Sequence, residues 1–336
     1  MSWALIPAGH YCLMVLGWTS LIAYIVIMAI ILAHRRSIST LRSAFYTMLI
    51  AQALPDCLFI LDLEYGRAKK YVLIPYYGND YHSISGAFIF CIQNILKSQI
   101  CLAYIPFALN RFTAFFAPFK YNNLWRAPLT YSCIAATWLI PTVLNIVYQL
   151  QPSVHIDYVY DKLAGVLRMY AGDANNFSAI QVHVTTILSM AVCFPIYAYT
   201  IYLARQRALM RSNRQDLMHL AFSIISFSTI LFDFSRSVMM LIGNINGDSQ
   251  IVQLSLDLWF YASEITVSVQ PWAILATNSL VREIVFRVLR CEWRSKGRRQ
   301  VRPGIGRTST PVQNSSRISQ THKPSTGLEA LVVTPI

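Results

Sequence analysis

The stretch that decides the fold is residues 11–33, which read YCLMVLGWTSLIAYIVIMAIILA and contain no charged side chain. A helix rises about 1.5 Å per residue, so roughly 20 apolar residues cross the hydrocarbon core of a bilayer. Six more runs of this kind follow along the chain. The seven runs lie near 11–33, 44–64, 83–109, 129–150, 179–203, 217–241 and 251–276. The pattern predicts an all-α membrane protein, a bundle of seven transmembrane helices.

The composition of the whole chain agrees with this prediction. Of the 336 residues, 55% are hydrophobic and 13% are charged, whereas soluble domains average about 25% charged residues. The mean hydropathy is +0.44. A net charge of +13 on a soluble domain would suggest nucleic acid as a partner. Here the basic residues lie between apolar runs and near the C-terminus, so no nucleic acid is expected.

The distribution of Lys and Arg predicts the orientation. With the N-terminus outside, the cytoplasmic segments would hold 21 of these residues and the outer segments 5, while Lys97 and Arg236 fall within spans. Because basic segments tend to stay in the cytoplasm, the N-terminus is predicted outside and the C-terminus inside. The first ten residues have no Lys or Arg, so the first run is predicted to be a retained anchor rather than a cleaved signal peptide.

These patterns divide the chain into four segments. We predict a short extracellular N-terminus over 1–10 and the seven-helix bundle over 11–280. An amphipathic juxtamembrane helix is predicted over 281–293, where apolar and charged residues occupy opposite faces. Residues 294–336 are predicted to be a disordered cytoplasmic tail, first basic and then rich in Ser and Thr.

The sequence contains no arrangement typical of an enzyme. The cysteines and histidines are dispersed, with no spacing typical of a metal site. Glycine-rich phosphate loops, nucleophile elbows and His-Glu-x-x-His helices do not occur. We therefore expect no enzymatic activity, no metal and no cofactor.

A longer motif follows the third run, where residues 109–125 read LNRFTAFFAPFKYNNLW. It resembles the Asn-Arg-aromatic-Thr/Ser, Pro and Tyr-x-x-x-Trp signature of the nematode serpentine chemoreceptors, class gamma or the related class V. The Gln-Pro-Trp at 270–272 is also similar to that group. The resemblance implies a G-protein-coupled receptor of rhodopsin-like architecture in the plasma membrane, with sensory cilia as the expected location. It also implies a small environmental or pheromone-like ligand and a heterotrimeric G protein as partners.

The resemblance further implies a set of switch residues. Arg111 would stand for the arginine that reaches the G protein, and Asn110 replaces the acid that usually precedes it. Asp216, at the start of the sixth run, could restrain Arg111 instead. Pro271 would match the kink proline of the seventh helix. An ordinary interfacial arginine and a packing proline are the alternatives.

Charged residues within the spans suggest a ligand pocket. Lys97 and Glu264 lie at similar predicted depths, and Asp233 is close to the same level. Because an unpaired ammonium is costly in a bilayer, Lys97 is expected to find one of these acids. We hypothesise a Lys97–Glu264 pair that lines the pocket, with Gln93 one turn above. Asp233 and Arg236 could pair on their own helix. The alternative is a structural pair that never touches ligand.

Aromatic residues complete the predicted pocket, Trp259 and Tyr261 among them. An aromatic cavity with a buried ion pair suits a small amphipathic molecule with an apolar body and a polar or acidic head. Aromatic belts at the membrane interface are the alternative explanation.

Four further features carry predictions of their own. Asp56 places a carboxylate near the middle of the membrane, either in a sodium or water site or in a structural pair. Asn176 begins a glycosylation pattern, and Cys291 is a candidate for palmitoylation. Phosphorylation of the Ser/Thr-rich tail would attract an arrestin-like partner.

The competing function is a ligand-gated channel or small-solute carrier whose buried charges line a pathway. A seven-span channel of the insect odorant-receptor kind would have its N-terminus inside, opposite to the orientation predicted here. An epitope at residue 1 therefore separates the two hypotheses.

Overall fold

The computed structural model describes residues 8–71, 84–149, 157–161, 166–170, 172–210 and 214–289. Within them, the predicted bundle of seven long helices is confirmed. The long helices are α1 (Ala8–His34), α2 (Ala44–Lys70), α3 (Ile84–Phe116), α5 (Ala127–Gln149), α6 (Gly172–Met210), α7 (Arg214–Asn246) and α8 (Ser249–Thr277), and two short helices are α4 (Pro118–Leu124) and α9 (Ser279–Leu289). A turn of 3-10 helix, Ser39–Arg42, lies between α1 and α2.

Six of the long helices, α1 to α3 and α5 to α7, are apolar and long enough to cross a membrane. The seventh, α8, is more polar. Its side chains Ser263, Glu264, Thr266 and Ser268 are fully buried. The polar residues of α8 therefore face the bundle interior. They make the most apolar stretch of α8 less apolar than those of the other six long helices.

The exposed faces of the helices are apolar, as expected for lipid contact. On α1, the side chains of Val15, Ile22 and Ile25 are exposed, whereas Tyr24 and Ile27 are buried. Such a helix is apolar on all sides, because one face meets lipid and the other meets its neighbours.

The helices form a closed arrangement. Helix α1 packs against α2 and α8, and α8 packs against α7. Helix α3 contacts α2, α5 and α6, and α6 contacts α7. Side chains from α1, α2, α3, α6, α7 and α8 therefore share the interior.

A tight turn joins α7 to α8. Gly247 has φ +66°, a conformation that L side chains rarely adopt. The next residue, Asp248, caps α8 through its side chain, which accepts hydrogen bonds from the backbone N–H groups of Gln250 and Ile251. This short turn places α7 and α8 next to each other, and the two helices pack together.

The sequence analysis did not predict a small β-hairpin in the segment before α6. Strands β1 (Asp157–Asp161) and β2 (Val166–Tyr170) pair antiparallel, with Val159 opposite Arg168. Both strands are rich in Tyr, Val and other residues that favour extended structure.

Helix α9 follows α8 directly and is amphipathic. Val281, Ile284 and Val285 are buried, whereas Glu283 and Arg287 are exposed and form an ion pair. The helix lies largely within the predicted juxtamembrane segment. The predicted tail, 294–336, and most of the predicted N-terminal segment lie outside the described residues.

Candidate functional site

Three buried charges meet between α3 and α7. The Lys97 Nζ atom lies 2.6 Å from Asp233 Oδ2, and Arg236 Nε lies 3.5 Å from Asp233 Oδ1. All three side chains are at most 3% exposed. We call Lys97, Asp233 and Arg236 the cationic cluster, because two cations share one carboxylate among the described side chains.

The hypothesised Lys97–Glu264 pair is wrong. Glu264 Oε2 lies 3.0 Å from the Nη2 atom of Arg67, which also forms an ion pair with Glu64. We call Glu64, Arg67 and Glu264 the acidic cluster. Matching depth along two helices does not fix which way each side chain points, and Glu264 points towards α2 rather than α3.

Arg67 was missed because its helix is longer than predicted. The second apolar run was expected to end at Glu64, which placed Arg67 in an outer loop, but α2 continues to Lys70. The signal was present in the sequence, since Glu64 and Arg67 are three residues apart and therefore neighbours on a helix.

The acidic cluster also brings α1 close to α8. A Cβ atom on Gly17 would collide with Glu264 Oε1 and would lie 3.0 Å from Glu64 Oε1. Ser268 donates a hydrogen bond of 3.2 Å to Glu264 Oε1. A glycine is therefore needed at position 17, because the carboxylates of Glu64 and Glu264 occupy the space that a side chain would fill.

The remaining predicted pocket residues point towards α1 and α2. Gln93 interacts with Asp62 on α2. The Tyr261 ring lies 5.4 Å from the ring of His10 on α1. Of the predicted set, only Lys97 and Asp233 are brought into direct contact among the described residues.

Trp259 also faces α2. Its ring packs edge-on against Phe59, with the ring centroids 6.3 Å apart. Because Phe59 is fully buried, Trp259 contributes to an interior aromatic contact here rather than to an exposed membrane belt.

Asp56 is hydrogen-bonded to two neighbours. Tyr24 on α1 donates to Oδ2, and Gln52 donates to Oδ1 over 2.8 Å. A cavity of about 30 Å³ adjoins this carboxylate, and its lining includes Tyr104 and Gln270. That volume is enough for one or two water molecules. The structural pair suggested by the sequence is present, and it borders a space of the right size for water.

The motif at 109–125 joins the end of α3 to α4 through its own side chains. Asn110 Nδ2 lies 3.0 Å from the Tyr121 hydroxyl, and Trp125 Nε1 donates to Thr113 Oγ1 over 2.6 Å. Burial raises the pKa of the Tyr121 phenol above its ordinary value. The signature therefore works as a local brace between α3 and α4.

Arg111 lies beside this brace and is 6% exposed. The carbon of its guanidinium lies 4.3 Å above the ring of Phe45, at the start of α2. This distance is typical of a cation–π contact. Tyr46, which follows Phe45 in α2, accepts a 2.6 Å hydrogen bond from Asn278, the residue after α8. The ends of α2, α3 and α8 therefore meet at Arg111.

Pro271 lies inside α8 and is buried. Its two neighbours bond to different helices. Gln270 donates to the Tyr104 hydroxyl over 3.3 Å, and Trp272 donates to Ser20 over 2.9 Å. The missing backbone N–H of a proline weakens the helix where α8 is held by α1 and α3.

Several predicted residues fall outside what the structure describes. Asp216 belongs to α7 and Asn176 to α6, but their side chains are outside the described set. Cys291 and the Ser/Thr-rich tail also lie outside the described residues. Among the described residues, no group of three His, Cys, Asp or Glu side chains could hold a metal ion.

The comparison with protein families agrees with these features. The family described as serpentine type 7TM GPCR chemoreceptor Srv matches residues 13–291, which is most of the chain. No curated protein matches the chain. The match favours the second of the two related classes that the motif left open, and the family is one of chemoreceptors rather than enzymes. This multi-pass membrane protein therefore belongs to the Srv family of seven-transmembrane chemoreceptors.

Proposed function

We propose that this protein is a chemosensory receptor of the plasma membrane that binds a small molecule within the bundle and activates a heterotrimeric G protein. The observation that carries the proposal is the position of Arg111. Its buried guanidinium stacks on Phe45 where α2, α3 and α8 meet, beside the Asn110–Tyr121 brace. Family membership and this arrangement together support a switch at this end of the bundle.

The proposed ligand site is centred on Lys97 and Asp233, between α3 and α7. The other residues predicted from the sequence face α1 and α2, and under this proposal they would meet the ligand only from that side. These are Gln93, Trp259, Tyr261 and Glu264. The cationic cluster supports the proposal, because it links α3 to α7 by buried charges that a polar ligand can reorganise. The ligand would be small and amphipathic, with an apolar body.

A ligand shifts a receptor only if it binds one conformation better than the other. Contact with the Lys97–Asp233 pair would change how α7 packs against α3. Rearrangement at the opposite end would release Arg111 from Phe45 and expose it, together with the 205–216 segment, to the G protein. Pro271 would provide a flexible point in α8.

The other predicted features belong to the same proposal. Asp56 would hold water or sodium beside its cavity, and Asp216 would restrain Arg111 in the inactive state. Asn176 would carry a glycan and Cys291 a palmitoyl group. The phosphorylated tail would recruit an arrestin-like protein. Residence in sensory cilia would suit a chemosensory role.

The role of Arg111 can be tested by signalling. The receptor is expressed in cultured cells and exposed to secretions pooled from nematode cultures, with cyclic-nucleotide and calcium readouts. We expect Arg111→Ala to reach the cell surface and to lose the response. Arg126→Ala is the matched control, because Arg126 is also an arginine near this end of α3 but is exposed.

An unchanged response of Arg111→Ala at equal surface expression would contradict the proposed coupling role. A response carried by an ionic current that persists when heterotrimeric G proteins are blocked would favour the channel hypothesis.

A further inference from the structure

The cationic cluster has more positive than negative charge. Lys97 and Arg236 share Asp233, and all three are almost fully buried. The carboxylates of the acidic cluster are bound to Arg67 on the α2 side of the bundle. Two buried cations therefore share a single carboxylate within the described part of the chain, which leaves one positive charge in excess.

Arg236 has donors to spare. Its Nε atom lies 3.5 Å from Asp233 Oδ1, whereas its Nη2 atom is buried and has no hydrogen-bond partner among the described residues. Its side chain is only 3% exposed. A guanidinium presents several N–H groups in a planar fork that matches a carboxylate, and buried donors are normally paired. Asp233 therefore pairs with only some of the guanidinium N–H groups of Arg236.

Polar atoms on α6 extend this site. His183 lies within electrostatic reach of Lys97, Asp233 and Arg236. Its Nδ1 atom is buried without a hydrogen-bond partner among the described residues. A neutral imidazole can donate a hydrogen bond from one ring nitrogen and accept one at the other. Helices α3, α6 and α7 thus contribute to one polar centre.

Buried apolar side chains lie further along the same helices. Met240 lies about one turn further along α7, and Phe90 about two turns before Lys97 on α3, and both are buried. A ligand that reaches the cluster along these helices would place an apolar body against such side chains.

We propose that the cationic cluster binds the anionic head of the ligand, and that the ligand class is a monocarboxylate with an apolar chain. The head would pair with Arg236 and Lys97 and would balance the excess charge. This inference rests on the proposed receptor function and deepens it, because it selects an acidic head and the α3–α6–α7 side of the bundle. The acidic cluster has the opposite excess and would repel such a head.

The test uses the full-length receptor in lipid nanodiscs and measures its thermal unfolding midpoint. The probes are straight-chain carboxylates of six to twelve carbons, compared with primary alcohols and primary amines of the same lengths. We expect the carboxylates to raise the midpoint in a saturable manner. The alcohols should reproduce only the effect of partitioning into the bilayer.

Variants locate the binding site. Arg236→Gln is expected to weaken the apparent affinity for the carboxylates by about tenfold or more, because a charge-assisted pair is lost. Arg236→Lys keeps the charge and should retain most of the shift. Arg126→Gln is the control, because it removes an exposed arginine remote from the cluster in sequence.

Equal shifts by carboxylates and alcohols, no shift by any carboxylate, or a full shift in a folded Arg236→Gln receptor would each overturn the inference. If the Arg236 variants do not fold, the wild-type comparison of carboxylates with alcohols still decides it. A receptor that signals to neutral compounds alone would refute the inference but keep the proposed function. Carboxylate binding that needs Arg236 but never activates a G protein would support the inference and refute the proposed function.

Discussion

Lys97 and Glu264 are each paired with a particular partner, and depth along the helices could not select those partners. Lys97 lies against Asp233, whereas Glu264 lies against Arg67. Isolated charges are costly inside a membrane protein, so pairing of some kind was predictable. The choice of partner depends on the rotation of each helix about its axis, which the order of residues along one helix does not reveal.

The revised pairing predicts specific couplings in double-mutant cycles. Arg67→Met should destabilise the receptor by about 3 kcal/mol or more, because it leaves two buried carboxylates without their cation. Combined with Glu264→Gln, it should show a coupling of about 1–3 kcal/mol in the free energy of unfolding.

Lys97→Met combined with Glu264→Gln serves as the comparison cycle. Its two changes should be additive within about 0.5 kcal/mol, because the residues belong to different clusters. A large Lys97–Glu264 coupling with none between Arg67 and Glu264 would restore the original hypothesis and refute the pairing in the structure.

Phe45 is predicted to hold Arg111 in the inactive receptor. Phe45→Leu keeps an apolar side chain but removes the ring face, and with it a contact worth about 0.5–2 kcal/mol. We expect higher signalling in the absence of any added chemical. Phe119→Leu is the control, because Phe119 is 98% exposed.

Basal activity is measured by cyclic-nucleotide level at matched surface expression. If Phe45→Leu lowers basal activity or leaves it unchanged, Phe45 does not restrain Arg111.

At the scale of elements, long apolar runs were easier to predict than their ends. All seven runs became helices, but α2 continues to Lys70 because polar residues on its last turns are buried against other helices. The hairpin β1–β2 was not predicted, because five-residue strands leave a weak pattern between strong helical signals. Ends and short strands depend on tertiary contacts that composition does not encode.

Helix α4 is predicted to depend on the brace to α3. Trp125→Phe keeps an aromatic ring but removes the Nε1 donor to Thr113, at a cost of about 0.5–1.5 kcal/mol. Amide hydrogen exchange over 118–125 should become faster, with reduced activation of the G protein. The exposed Trp18 on α1 provides the control Trp18→Phe.

Unchanged exchange in Trp125→Phe would show that α4 is held by other contacts. Faster exchange throughout α3 would instead indicate that the hydrogen bond supports the bundle as a whole.

At the scale of the whole molecule, composition predicted the membrane, the apolar runs predicted the seven long helices, and a seventeen-residue motif predicted the receptor family. The match to Srv over residues 13–291 supports both. The interior network was less predictable, because the acidic cluster joins Glu264 to residues almost 200 positions earlier in the chain. Contacts between residues so far apart in the sequence depend on which helices pack together and on how each helix is rotated about its axis.

The orientation predicted from the charge distribution determines how the proposed switch can work. The structure moves Arg67 from the outer segments into α2, where it is buried. This change further lowers the positive charge outside and strengthens the predicted asymmetry. Arg111 and α4 would then face the cytoplasm, where a G protein can reach them.

The most direct test is the accessibility of two epitopes on the full-length receptor in cultured cells. One epitope precedes residue 1 and the other follows residue 336. We predict that antibodies label the first on intact cells and the second only after permeabilisation. The opposite result would place Arg111 outside the cell, away from any G protein, and would contradict the receptor mechanism proposed here.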